Sequence, residues 1–201
     1  MTYSEPARTT IYRTRIRWTR FAGLLVVIAA IASSLSTATS PTHVQRGEHR
    51  GALGDPGRVP DGTTVFDGEI PGVGKLDPAL LGALRRAATD AAVDGVQFRV
   101  DSGWRSPAYQ EQLFRDAVSK YGSEAEAARW VATPDKSAHV SGNAVDLGSR
   151  AAAWLSEHGA DYGLCQIYGN EPWHYELRPE ATDYGCPPEY ADPTHDPRMQ
   201  K

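Results

Sequence analysis

Cysteine is scarce: the 201 residues include 2 Cys, at Cys165 and Cys186. Two are too few for a disulfide-dense scaffold or a four-cysteine zinc finger, and no C-x-x-C pair is present. The core must therefore come from apolar side chains. Glycine follows no fixed period, which excludes a collagen helix, and no internal repeat is visible. Excess positive charge is missing from most of the chain as well. Five of the 21 basic residues, but only one of the 25 acidic ones, fall in residues 1–20, so residues 21–201 hold 16 basic against 24 acidic side chains. Nucleic-acid binding needs a basic face that releases phosphate counterions, so the balance argues against that class. What is present, 40% hydrophobic residues in a chain of 201, suits one folded soluble domain with appendages.

Long apolar runs are confined to one place. Arg8, Arg13, Arg15, Arg17 and Arg20 precede an apolar stretch from Phe21 to Ala32 and a Ser/Thr-rich stretch from Ser33 to Ser40. That is the order of an export signal. The run is shorter than the roughly 20 residues that span a bilayer comfortably, so residues 1–40 read as a cleaved signal peptide or an uncleaved N-terminal membrane anchor. In both cases the arginines stay cytoplasmic and the remainder works outside the membrane, secreted or anchored to its outer face. Residues 41–74, with many Gly, Pro, Asp and Thr, read as a linker or irregular lead-in. Residues 75–190 read as the working domain and residues 191–201 as a polar tail. Both cysteines lie in the exported part, where a Cys165–Cys186 bridge persists and fastens the tail.

Asp77-Pro78 has the form of an N-cap and first turn, and Leu80, Leu81, Leu84, Ala87, Ala88 and Ala91 keep helical spacing up to Gly95. Val96, Phe98 and Val100 alternate with polar residues, the period of a half-buried strand. Ser106-Pro107 opens another helix, with Tyr109, Leu113, Ala117 and Tyr121 on one stripe, and Ser123 to Glu126 form a capping box. Ala144–Leu147, Leu164–Tyr168 and Trp173–Leu177 read as short strands, with a helix around Ala151–His158 that ends at Gly159. The fold class is α+β, with a small antiparallel sheet and flanking helices.

Two segments carry the chemistry. In Ser137–Asp146, Gly142-Asn143 suits a two-residue hairpin turn, which would place His139 opposite Asp146 on one face. In Glu171-Pro-Trp-His174, Pro172 favours an irregular entry that lets Glu171 turn toward the same point as His174. His139, Asp146 and His174 make a three-ligand set for zinc with an open position for water, and Glu171 is then free to act as base. The remaining histidines have plainer places: His43 and His49 in the linker, His158 at a helix end that suits imidazolium, and His195 in the tail.

These segments, SAHVSGNAVD and EPWH, match the S-x-H-x-x-G-x-A-x-D and E-x-W-H motifs of the VanY-type zinc D-alanyl-D-alanine carboxypeptidases. The chain resembles that family over residues 76–178. The wider group includes phage L-alanyl-D-glutamate endopeptidases and the hedgehog fold. The stretch FRVDSGWRSPAYQEQLF looks like the family's arginine-bearing segment, although Trp104 stands where the family usually has Tyr. The resemblance implies a hedgehog-like peptidase fold, Zn2+ on His139, Asp146 and His174, Glu171 as catalytic base, and Arg105 on substrate oxygens near the scissile bond. Ser137, Trp173 and Tyr109 are candidate substrate-binding residues. The implied activity is removal of the terminal D-Ala from peptidoglycan stem peptides ending in D-Ala-D-Ala. An L-Ala–D-Glu type endopeptidase and a non-catalytic zinc-stabilised binding module are the alternatives.

Overall fold

The structure, a computed structural model, describes residues 57–200. The expected signal or anchor segment, residues 1–40, and residues 41–56 of the expected linker lie outside the described residues. Among the described residues no helix is long and apolar enough to cross a membrane.

Among the described residues the α-helices and strands follow one another as α1 (Pro71–Gly74), α2 (Pro78–Ala91), β1 (Val100–Ser102), α3 (Pro107–Tyr121), α4 (Glu124–Ala127), β2 (Ala144–Leu147), α5 (Ser149–His158), β3 (Leu164–Gln166), β4 (His174–Leu177) and α6 (Ala181–Tyr184). Several begin where the local chemistry says they should. The Asp77 carboxylate accepts from Ala79 N and Leu80 N at the head of α2. Ser106 Oγ accepts from Tyr109 N at the head of α3, and Ser123 Oγ from Glu126 N at the head of α4. Each side chain satisfies a backbone N–H that the first helical turn leaves without a carbonyl.

The four strands form one antiparallel sheet in the order β1-β2-β4-β3. In its centre Ala144 pairs with Glu176, Val145 with Tyr175 and Asp146 with His174. Because side chains alternate along a strand, Val145, Leu147 and Tyr175 fall on one face, and Ala144, Asp146, His174 and Glu176 on the other. The first face packs against α2 and α5 through Leu80, Leu84, Ala87, Ala91, Ala151 and Leu155, all buried. Tyr175 reaches through this core to donate its hydroxyl to Ala152 O at 2.8 Å.

Residues 57–70 are irregular, and with α1 they pack into this core, where Val65 and Val73 are fully buried. The expected strand over 96–101 is shorter than its alternation suggested. It keeps only Val100–Ser102, because the backbone before it pairs with the lead-in: Val65 N donates to Phe98 O at 3.3 Å, and Thr64 bridges to Arg99.

The opposite face is covered by the C-terminal segment. Cys165 and Cys186 are bonded, with Cα atoms 5.6 Å apart, which fastens that segment beside β3 as expected. Cys165, Ile167, Tyr168 and Ala181 form a second buried cluster, against which Met199 packs. The polar tail is thus folded back. Asp192 is buried and accepts from Arg129 Nε at 3.0 Å, and His195 Nδ1 is 2.9 Å from the same carboxylate.

Candidate functional site

Asp146 and His174 meet because they are cross-strand partners. His174 Nδ1 is 3.1 Å from Asp146 Oδ1. His139 Nε2 is 3.3 Å from the same oxygen, and the His139 and His174 rings are 5.0 Å apart. All three residues are buried, and one donor atom from each lies within 4.8 Å of the others.

His139 reaches this point by a route different from the expected one. Residues 137–142 are not a strand arm. They form a tight turn in which Val140 N and Ser141 N return to Ser137 O. Asn143 N then reaches back to Ala138 O and Gly142 N to His139 O, the bond pair of a Schellman cap, with Gly142 in the left-handed region at φ +78°. Gly142 is required twice over. A Cβ there would also sit 2.7 Å from Lys75 O, and the Gly142 carbonyl accepts from Asp77 N at 2.9 Å. The hairpin expectation is therefore corrected. The left-handed glycine closes a helical turn, and the true partner of Asp146 lies 28 residues away across the sheet.

His139 Nδ1 is 2.8 Å from Gly103 O, so it carries the proton and leaves Nε2 free toward Asp146. Gly103 itself must lack a side chain, since a Cβ would fall 2.0 Å from Gly72 O. Arg105 spreads its fork behind the cluster. Its Nη2 donates to Asp146 Oδ2 at 2.7 Å, its Nε to Ser102 Oγ at 2.7 Å and its Nη1 to Gln110 Oε1 at 3.1 Å. Asp146 thus offers one oxygen to the histidines and the other to Arg105.

Glu171 lies in the loop before β4, three residues ahead of His174. Its Oε2 is 3.7 Å from His174 Nδ1, while its Oε1 is buried without a hydrogen-bond partner. Burial pushes its carboxyl up to about 7, with Asp146 adding and His174 and Arg105 opposing. Burial pulls His174 down, but the Asp146 and Glu176 hydrogen bonds outweigh it and raise the imidazole to about 9. His139 is lowered by burial and by Arg105. Asp146 lies well below the usual carboxylate range because its partners, His139, His174 and Arg105, overcome the penalty of burial.

These groups open into a pocket of about 220 Å³. Arg105, Ser137, Trp173 and Glu171 all line it. Tyr109 does not. On α3 the residue one position further, Gln110, takes that place, since one helical step turns a side chain by about 100°. Trp104 is also off the pocket, under Lys75 Nζ at 4.0 Å from its ring centroid. Further walls were not foreseen, among them Trp130, whose ring stacks on Tyr121, and Pro193 and Met199 from the tail. Another unforeseen residue, Glu176, carried a readable signal, because it follows His174 by two on a strand and must share its face.

The donor set is that of a mononuclear zinc site, two imidazole nitrogens and one carboxylate oxygen, and the unpartnered buried Glu171 oxygen beside it is what a base for a water needs. Fold and site together define an α+β domain with three buried donors that could hold one metal ion and that line a pocket. The profile of VanY, described as D-alanyl-D-alanine carboxypeptidase, matches residues 74–180, and the chain belongs to that family. A D-alanyl-D-alanine carboxypeptidase of Enterococcus faecalis (strain ATCC 700802 / V583) is 32% identical, over 42% of this chain and 41% of its own length. The chain thus spans about two fifths of that curated relative. Among solved structures, VanYB in complex with D-alanine-D-alanine is 29% identical with a TM-score of 0.48, covering 51% of this chain and 71% of the other. A Zn(II) complex of a vancomycin-resistance D,D-pentapeptidase VanY mutant is 29% identical with a TM-score of 0.47, covering 51% and 72%.

Proposed function

We propose that the protein is a zinc-dependent D-alanyl-D-alanine carboxypeptidase that trims the terminal D-Ala from peptidoglycan stem peptides outside the cytoplasmic membrane. The observation that carries this reading is the buried, unpartnered Oε1 of Glu171 beside the His139, Asp146 and His174 donors, in a chain of the VanY family. Zinc, when bound, acts as a Lewis acid toward a water and the scissile carbonyl.

The chain's own residues do the rest. Glu171, with its Oε1 buried and unpartnered beside the donors, is placed to take a proton from the water and return it to the departing amine nitrogen. The amide C–N bond breaks, the water oxygen stays on the carbonyl carbon, and the proton leaves with D-Ala. Arg105 holds Asp146 in place. Of its five N–H groups three are engaged, which leaves two for a carbonyl or carboxylate oxygen of the substrate.

The test is to incubate the full chain with a pentapeptide stem and weigh the products. Loss of one alanine, abolished by a chelator and restored by zinc, supports the reading. Cleavage between L-Ala and D-Glu would make the protein an endopeptidase, and an intact but bound peptide would make it a binding module.

A further inference from the structure

Behind His174, on the side away from Asp146, stands a carboxylate with no place in the chemistry above. Glu176 is 1% exposed, and its Oε1 is 3.4 Å from His174 Nε2. Its remaining capacity is taken by guanidinium groups. Arg198, from the C-terminal segment, donates through Nη1 to Oε2 at 2.7 Å and through Nη2 to Oε1 at 3.1 Å, and Arg178 Nη2 donates to Oε2 at 2.8 Å. Arg198 is fixed in turn: its Nε is 2.9 and 3.1 Å from the two oxygens of Asp196, which is fully buried. Asp196 accepts the Tyr168 hydroxyl at 3.0 Å, and the Tyr168 ring lies 5.2 Å from the His174 ring. The network leaves the imidazole, passes through the tail and returns to the same imidazole.

Both nitrogens of His174 face a carboxylate, Nδ1 toward Asp146 Oδ1 at 3.1 Å and Nε2 toward Glu176 Oε1 at 3.4 Å. A metal ion held at Asp146 takes the place of a proton on Nδ1, and Glu176 then keeps the remaining proton on Nε2, so that the Nδ1 lone pair is the one left for the ion. A lone carboxylate on a buried strand can rotate about its last bond, whereas one gripped by a two-pronged guanidinium cannot do so without breaking both bonds. We propose that Arg198 is a positioning residue for the metal site: through Glu176 it fixes the ring plane and tautomer of His174, so that Nδ1 presents its lone pair to the ion. The proposal rests on the zinc reading of the site. It gives the C-terminal segment a duty beyond forming a pocket wall.

The rival account is that Arg198 merely pins the tail. Arg129 separates the two, because it holds the same segment through Asp192 and does not touch Glu176. The full chain is stripped of metal and titrated with Zn2+ against a competing chelator and with Co2+ by visible absorption, and the metal-free melting temperature is recorded alongside. Partners of this kind affect metal affinity by about 10- to 100-fold. Arg198→Met is expected to weaken zinc by about that factor and to alter the Co2+ spectrum. Arg198→Lys, which keeps the charge but not the fork, should fall between it and the wild type, and Glu176→Gln should weaken zinc without removing the tail's hydrogen-bond partner. Arg129→Ala should lower the melting temperature and leave zinc affinity within about twofold.

Unchanged zinc affinity and Co2+ spectrum in Arg198→Met and Glu176→Gln would overturn the proposal. So would an Arg129→Ala loss as large as that of Arg198→Met. A wild-type chain that takes up no metal would refute the zinc reading itself, a result distinct from wild-type uptake that the variants leave unaltered.

Discussion

Val145 and Tyr175 alternate with Asp146 and His174 along the same two strands, yet the two faces they build obey different physics. The core face is apolar and packs against α2 and α5, so its register is specified by the hydrophobic pattern alone. The site face is buried too, but by charged groups: Asp146 against Arg105, His174 against Glu176, Glu176 against Arg198. Apolar contacts are interchangeable within limits of volume, whereas a buried charge that loses its partner keeps the full cost of its burial. The site face is thus the more brittle of the two, and the tail that covers it is part of its structure.

The largest effect should come from breaking the centre of the site face. Asp146→Ala removes a zinc donor and leaves the Arg105 guanidinium buried without its counter-charge, so zinc uptake and hydrolysis should vanish and stability should fall by about 3–5 kcal/mol. Leu84→Ala on the core face gives the contrast: a cavity cost of about 2–5 kcal/mol, with zinc affinity of the folded protein unchanged. Denaturant melts and chelator competition on the two variants check both halves, and a loss of zinc in Leu84→Ala would erase the distinction.

Glu171→Gln comes next. It keeps the shape of the side chain and removes the base, so turnover should drop by about 10²–10⁴-fold with zinc retained. Loss of metal from that variant would make Glu171 a ligand.

The sequence disclosed the two faces unequally. Caps at Asp77, Ser106 and Ser123, the strand Ala144–Leu147 and the helix ending at Gly159 all rest on local chemistry and were legible. The residue types of the site were legible too, because SAHVSGNAVD and EPWH state them outright. How they come together was not. Asp146 finds His174 through a ladder between strands far apart in the chain, and no turn rule contains that information. Gly142 fits a hairpin turn and a helical C-cap equally well by composition, and the contact with Lys75 and Asp77 decides between them. The tail reads as solvated polar sequence because its partners, Arg129 and Glu176, are distant in the chain.

A smaller effect should follow reduction of Cys165–Cys186. The bridge spans 21 residues, worth about 3 kcal/mol in the chain-entropy model, so the melting temperature should fall with zinc lost only as the tail loosens. Zinc leaving before any change in stability would place a cysteine at the metal.

The smallest effect is a pH dependence. In the metal-free protein His174 is raised to about 9, so its bonds to Asp146 and Glu176 stabilise the fold fully below the unfolded value and cease to do so as pH rises through about 9. Zinc needs the neutral imidazole. Its apparent affinity should therefore climb by about tenfold per pH unit from about 7 to 9 and level off above, as chelator competition at several pH values would show. A flat profile would mean that His174 is already neutral near pH 7.

The central claim is that the site face holds one zinc ion on three named atoms. Crystals of the zinc-loaded protein, with anomalous data collected on both sides of the zinc edge, test it most directly. The account predicts a single strong peak about 2.0–2.2 Å from His139 Nε2, Asp146 Oδ1 and His174 Nδ1, with Glu171 outside the coordination shell. A peak elsewhere, or one that takes Glu171 as a ligand in place of any of the three, would contradict it.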